Sequence, residues 1–113
     1  MDIKIDRLED AVIIKPQGEI DLHSSPQLRA ILQEKIKEGP REVLIDLGGV
    51  NYMDSSGLAT LVEAFQAIKK EGKIMAIYGL TDTVKNILSI TRLDEIFLIF
   101  DSQAEAIKGV KIK

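Results

Sequence analysis

The sequence predicts a mixed α/β fold in which helices pack on a β-sheet that begins as a hairpin and continues with parallel strands. Short apolar runs typical of strands alternate with longer stretches whose apolar residues recur every three or four positions. Only a short polar turn separates the first two strands, whereas a helix separates each later strand from the next. This order, β-β-α-β-α-β-α-β-α, is typical of a hairpin followed by right-handed β-α-β crossovers.

The N-terminal segment predicts the hairpin. Apolar and polar residues alternate on both sides of Glu9-Asp10, so strands are expected near residues 2–8 and 11–17. Pro16 cannot donate a ladder hydrogen bond, which indicates a strand end or an unpaired side. Residues 18–22 are expected to lead out as a loop.

Three helices are predicted from capping residues that precede apolar residues at helical spacing. They begin at Ser24-Gln27, Thr81-Asp82 and Ser102-Glu105, and the first and last of these segments have the residues of a capping box. Gly39-Pro40 ends the first helix, and Gly109 is expected to end the last.

The nearly continuous apolar run at residues 42–47 is typical of a strand that is covered on both faces. Residues 73–78 are expected to form another buried strand, and residues 96–100 a short final strand. The chain has 113 residues, of which 45% are hydrophobic, and it contains no linker or repeat. A single domain over residues 1–113 is therefore expected.

The Asp-Ser-Ser-Gly segment at residues 54–57 is the most informative stretch, because it opens a helix predicted over residues 56–71. A helix start carries free backbone N–H groups and a partial positive charge, and it favours an anion or a phosphoserine. Asp54 or Ser55 is the expected N-cap. Ser56 is then expected at the first helical position, with its hydroxyl outward.

Two further features are expected around Ser56. Glycine lowers helix stability, so Gly57 is interpreted as leaving room for a partner to approach that hydroxyl. Loops at the carboxyl ends of parallel strands meet on one side of a sheet, which would bring together residues 18–25 and 48–56. Asp21 and Ser56 would then lie on one surface.

Composition limits the classes of function. The net charge is −3 and no basic cluster is present, which argues against direct nucleic-acid binding. With no cysteine and one histidine, a thiolate or histidine-rich metal site is not expected. No signal peptide or membrane-spanning apolar stretch is seen. The expectation is a cytoplasmic protein without a membrane segment, metal or cofactor.

Several segments together resemble the bacterial anti-sigma factor antagonists, the single-domain members of the STAS family (sulfate transporters and anti-sigma factor antagonists). The resemblance covers essentially the whole chain, and its most specific part is the Asp-Ser-Ser-Gly-Leu segment. It implies a STAS-like mixed β-sheet with about four packed helices. The segments that carry it are Gly18-Glu19-Ile20-Asp21, the Val-Leu-Ile-Asp-Leu strand at residues 43–47, and residues 52–58.

This resemblance implies a phosphorylation switch rather than an enzyme with catalytic residues. In the family, the unphosphorylated antagonist binds an anti-sigma factor that is also a serine kinase, and this binding frees the sigma factor. The kinase phosphorylates the second serine of the motif, here Ser56, and a metal-dependent serine phosphatase resets the antagonist. Asp21 is similar to a family residue at the kinase contact. The other expected partner-binding residues are Asp54, Ser55, Ser56 and Gly57, and the free protein is expected to be a monomer.

The sequence leaves two alternatives to a phosphorylation switch. A serine hydrolase would need a triad of Ser56, His23 and either Asp21 or Asp54. The Gly-x-Ser-x-Gly elbow is missing, however, because Asp54 and Leu58 stand where its glycines belong. The other alternative is a STAS interaction module that binds within a larger signalling assembly and is not phosphorylated.

Overall fold

The computed structural model describes residues 1–111 and contains, within that range, six strands and four α-helices. The strands are β1 (Asp2–Leu8), β2 (Ala11–Ile20), β3 (Glu42–Asp46), β4 (Val50–Met53), β5 (Ile74–Tyr78) and β6 (Leu98–Phe100). The helices are α1 (Ser25–Lys37), α2 (Ser55–Lys70), α3 (Asp82–Ile90) and α4 (Gln103–Lys111), with a 3-10 turn at Leu93–Glu95. The predicted fold class is confirmed.

The strands form one mixed sheet whose main order is β1-β2-β3-β5-β6. Strands β1 and β2 are antiparallel, as expected for the hairpin, and the pairs β2–β3, β3–β5 and β5–β6 are parallel. Strand β4 lies off this path and pairs in parallel with the end of β2.

Strand β2 is longer than the sequence pattern indicated, because it changes partner along its length. Its pairing with β3 ends at Ile14, and its pairing with β4 begins at Gly18, where φ is +100° and the register shifts. Residues 18–20 are therefore strand and not the start of a loop. Pro16 lies between the two ladders, at a position where β3 and β4 need no N–H from it.

Helices cover both faces of the sheet and enclose two apolar cores. The larger core lies between the sheet and helices α1, α2 and α3, and the smaller lies under α4. Helix α4 continues past Gly109, which was expected to end it. A Cβ at Gly109 would overlap the ring of Phe100, so this glycine allows α4 to approach β6 closely.

Candidate functional site

The N-terminus of α2 is capped by Asp54. Its Oδ1 accepts hydrogen bonds from the backbone N–H of Ser56 at 2.9 Å and of Gly57 at 3.2 Å. Of the two residues proposed from the sequence, the cap is therefore Asp54 and not Ser55. Ser55 becomes the first helical residue and is exposed, while Ser56 is the second and is half-buried. The expectation that Ser56 occupies the first helical position is wrong by one residue.

The Ser56 hydroxyl is held by the same carboxylate. It donates to Asp54 Oδ1 over 2.6 Å. This hydrogen bond, together with backbone N–H groups of Gly57, Ser56 and Leu22, holds the pKa of Asp54 below its ordinary value, although burial opposes the shift. Asp54 is thus a carboxylate at neutral pH, and the Ser56 hydroxyl has a fixed orientation.

The pairing of β2 with β4 brings the two predicted loop segments together. Ile20 pairs with Met53, and the Asp54 N–H donates to the Ile20 carbonyl over 3.1 Å. Asp21 and Asp54 therefore follow directly from two neighbouring strand ends. The expectation that residues 18–25 lie beside the start of α2 is confirmed.

The loop between β2 and α1 is fully hydrogen-bonded along its backbone. Five consecutive N–H groups each find an acceptor within the site. Asp21 N–H bonds Ser24 Oγ at 2.9 Å, Leu22 N–H bonds Asp54 Oδ2 at 3.1 Å, His23 N–H bonds Asp21 Oδ1 at 2.9 Å, Ser24 N–H bonds the same oxygen at 3.0 Å, and Ser25 N–H bonds the Asp21 carbonyl at 2.8 Å. A loop whose N–H groups are all hydrogen-bonded is expected to keep this conformation before a partner binds.

Asp21 supports this loop, and the predicted capping box at the start of α1 is absent. The Ser24 hydroxyl donates to the Glu19 carbonyl at 2.7 Å, and the Gln27 side chain bonds the Met1 carbonyl at 3.0 Å. The two side chains serve other contacts, so the box prediction is wrong. The backbone N–H of Ser24, followed by that of His23 and by the Ser24 hydroxyl, holds the pKa of Asp21 below its ordinary value against opposing desolvation.

Replacing Asp21 with alanine is expected to lower the free energy of unfolding by about 1 kcal/mol, because two backbone N–H groups lose their acceptor. A surface role alone would have predicted a change within about 0.5 kcal/mol. Urea unfolding of Asp21→Ala, Asp21→Asn and Glu19→Ala measures the difference. Asp21→Asn keeps an acceptor and Glu19 is an exposed neighbour, so both should stay close to wild type. Equal stability of all three variants would show that the turn does not depend on Asp21.

Gly57 is a packing residue rather than an access residue. It is buried, and a Cβ there would lie 2.6 Å from Met53 Cγ, 2.8 Å from Ile20 Cγ2 and 2.9 Å from the Ile20 carbonyl oxygen. The interpretation that it leaves room for a partner is wrong. Glycine instead allows the first turn of α2 to lie against the ends of β2 and β4, which sets the position of Ser56.

The segments that form the site also contain two exposed apolar side chains that were not predicted from the sequence. Leu22 is 69% exposed and Tyr52 is 45% exposed. Both are close in the chain to the carboxylates, Leu22 next to Asp21 and Tyr52 two residues before Asp54. A leucine within a polar loop was the feature of the sequence that could have indicated an exposed apolar side chain here. The site therefore combines apolar groups, carboxylates and one oriented hydroxyl.

This geometry is not that of a serine hydrolase. In a Ser-His-Asp triad the serine hydroxyl bonds an imidazole, and the imidazole bonds the carboxylate. Here the Ser56 hydroxyl bonds Asp54 directly, and the His23 N–H that contacts a carboxylate is its backbone group.

Residues 1–111 contain no group of three or more histidine, acidic or cysteine side chains placed to hold a metal ion. In the same range, every helix is too short or too polar to cross a bilayer.

Comparison with known proteins places this site in a family. Residues 2–106 match the model of the STAS domain. The anti-sigma-B factor antagonist of Staphylococcus aureus (strain NCTC 8325) is 31% identical over 83 residues, which cover 74% of this chain and 77% of that protein.

Solved structures share the fold. An anti-sigma factor antagonist from Mycobacterium paratuberculosis superposes with a TM-score of 0.91 at 21% identity, covering 97% of this chain and 93% of that one. The Bacillus cell fate determinant SpoIIAA in its phosphorylated form superposes with a TM-score of 0.76 at 20% identity, covering 97% and 100%. The chain therefore belongs to the STAS domain family and, within it, to the anti-sigma factor antagonists.

Proposed function

We propose that this chain is the antagonist of a partner switch that phosphorylation of Ser56 controls. In its unmodified form it binds an anti-sigma factor that is also a serine kinase, and this binding frees a sigma factor in the cytoplasm. Phosphate transfer to Ser56 ends the complex, and a metal-dependent serine phosphatase restores the free hydroxyl. The observation that carries the proposal is the Ser56 hydroxyl at the N-terminus of α2, bonded to Asp54 over 2.6 Å.

The hydrogen bond to Asp54 supports Ser56 rather than Ser55 as the acceptor of phosphate. Exposure alone would favour Ser55. The Ser56 proton, however, points at a carboxylate, which leaves the oxygen lone pairs free for an incoming phosphoryl group and fixes their direction. Phosphoryl transfer depends mainly on such positioning. The phosphate formed would lie at a helix N-terminus, where negative charge is favoured.

The proposed partner surface consists of Asp21, Asp54, Ser55 and Ser56. Gly57 contributes only by holding α2 against the strands, because a buried glycine offers a partner no side chain. The phosphorylated form in which SpoIIAA has been solved supports a phosphorylated state for a protein of this fold.

The first test identifies the modified residue. Each anti-sigma factor kinase of the source bacterium is purified and incubated with Mg-ATP and with wild type, Ser55→Ala or Ser56→Ala. Intact-mass analysis is expected to show one phosphate on wild type and Ser55→Ala and none on Ser56→Ala. Phosphate on Ser56→Ala would overturn the assignment. Tight binding of a kinase with no phosphate on wild type would favour the alternative, an interaction module that is not phosphorylated.

A further inference from the structure

Leu22 is an exposed apolar side chain on a rigid support. Single exposed leucines are common on protein surfaces and need no explanation by themselves. Leu22 differs because it is 69% exposed on a loop whose five N–H groups from Asp21 to Ser25 are all hydrogen-bonded. A loop whose backbone is held before binding loses less conformational entropy when a partner covers it.

One carboxylate connects Leu22 to the modifiable hydroxyl. Asp54 Oδ2 accepts the Leu22 N–H at 3.1 Å. Asp54 Oδ1 accepts the Ser56 hydroxyl at 2.6 Å and also caps α2. The position of the loop and the state of Ser56 therefore depend on the same side chain.

We propose that Leu22 is the apolar anchor that a protein partner covers, and that Asp54 is the positioning residue that presents it. The proposal rests on the function proposed above and names the chemistry of the partner surface. Asp21 precedes Leu22 in the chain, Asp54 accepts the Leu22 N–H, and the exposed Glu19 precedes Asp21 in the same segment. The partner then offers an apolar pocket bordered by cationic side chains, since a surface of matching charge favours association.

Phosphorylation acts on this arrangement through Asp54. Transfer from ATP forms the bond between Ser56 Oγ and the γ-phosphorus and breaks the bond between that phosphorus and the oxygen that bridges it to the β-phosphate. ADP is released, and the hydroxyl proton passes to water. Asp54 Oδ1 then loses its hydrogen bond and faces a group that carries about −1.5 to −2 charges. The phosphate also competes for the N–H groups of the first turn of α2. Repulsion turns the carboxylate away, and the Leu22 N–H loses its acceptor.

The hold of Asp54 on Leu22 is tested in the free protein by amide hydrogen exchange. Wild type is compared with Asp54→Asn and with a form in which phosphoserine is incorporated genetically at position 56. Asparagine still caps a helix, so α2 is retained. The Gly48 N–H is the control, because it bonds the Asp46 carboxylate at 2.9 Å elsewhere in the protein. Exchange at Leu22 is expected to rise by about tenfold in both altered forms and to stay constant at Gly48. Unchanged protection of Leu22 in either form would overturn the link.

The anchor is tested by titration calorimetry with the purified kinase that binds wild type in the mass experiment. Leu22→Ala is expected to weaken binding by roughly 10- to 100-fold, because the variant lacks the leucine side chain that binding buries. Ile90→Ala is the matched control, because Ile90 is 77% exposed at the end of α3, and it should change affinity by less than about twofold.

The outcomes separate the two proposals. Equal affinity of Leu22→Ala and Ile90→Ala would refute the anchor and leave the partner switch intact. Failure of every kinase to bind wild type would refute the partner switch and the anchor together. In either case the exchange data would show whether Asp54 holds the Leu22 N–H.

Discussion

Replacement of Gly57 by alanine is expected to lower the free energy of unfolding by about 1–3 kcal/mol, the usual cost of overpacking a well-packed site. Alanine is the better helix former by up to about 1 kcal/mol, so helix propensity alone predicts the opposite sign. The packing term dominates because two of the three contacts are rigid. The new Cβ would lie 2.8 Å from Ile20 Cγ2 and 2.9 Å from the Ile20 carbonyl oxygen, on a strand that cannot move without breaking its pairing with β4.

Chemical denaturation of Gly57→Ala and Ser55→Ala measures this effect. Ser55→Ala is the matched control, because Ser55 is exposed in the same helical turn, and it should stay within about 0.5 kcal/mol of wild type. A melting temperature lower by about 4–8 °C for each kcal/mol should accompany the loss in Gly57→Ala. A Gly57→Ala variant as stable as wild type would mean that α2 moves away from β2 easily. In that case the first turn of α2 would not fix the position of Ser56.

The fold was predictable where apolar periodicity extends over enough residues. The hairpin, the four helices and the buried strands β3 and β5 all follow patterns of five residues or more. Strand β4 was missed because Val50–Met53 has only four residues, of which two are buried, and it follows Gly48-Gly49. Its pairing depends on β2 changing partner at Gly18, and no local pattern indicates such a change.

The site was predictable in its helix-capping chemistry and not in its contacts between segments. Asp54, Ser56 and Asp21 could be selected because capping and turn preferences act over two or three residues. The packing of Gly57 on Ile20 and the bond from Leu22 to Asp54 join segments that are far apart in the chain. Such contacts produce no periodic pattern in the sequence. For this reason the role predicted for Gly57 was wrong, and no role was predicted for Leu22.

Phosphorylation of Ser56 is expected to weaken binding to the anti-sigma factor kinase by more than about 100-fold while it leaves the fold of the free protein intact. In the free protein two effects oppose one another. A helix N-terminus stabilises negative charge by roughly 0.3–1 kcal/mol. Repulsion between the phosphate and Asp54 opposes this by about 1 kcal/mol per unit charge at 4 Å in water. For a phosphate of about −1.5 to −2 charges the repulsion is about 1.5–2 kcal/mol, so the free energy of unfolding should fall by no more than about 2 kcal/mol.

In the complex these terms no longer balance, because the partner excludes water from the surface that Asp54 and Ser56 share. In the proposed complex the partner's cationic side chains already pair with Asp21 and Asp54, so a phosphate beside the Asp54 carboxylate has neither solvent nor an unpaired cation. Burying such a charge is unfavourable by several kcal/mol. Calorimetry on protein with phosphoserine at position 56 measures the loss. Phosphoserine at position 102 is the control, because Ser102 also lies at a helix start, where its hydroxyl accepts the Glu105 N–H at 3.2 Å. Backbone chemical shifts should differ only near residues 52–60 and 18–25. Shift changes across the sheet, or a melting temperature lower by more than about 15 °C, would instead mean that phosphate acts by changing the fold of the antagonist.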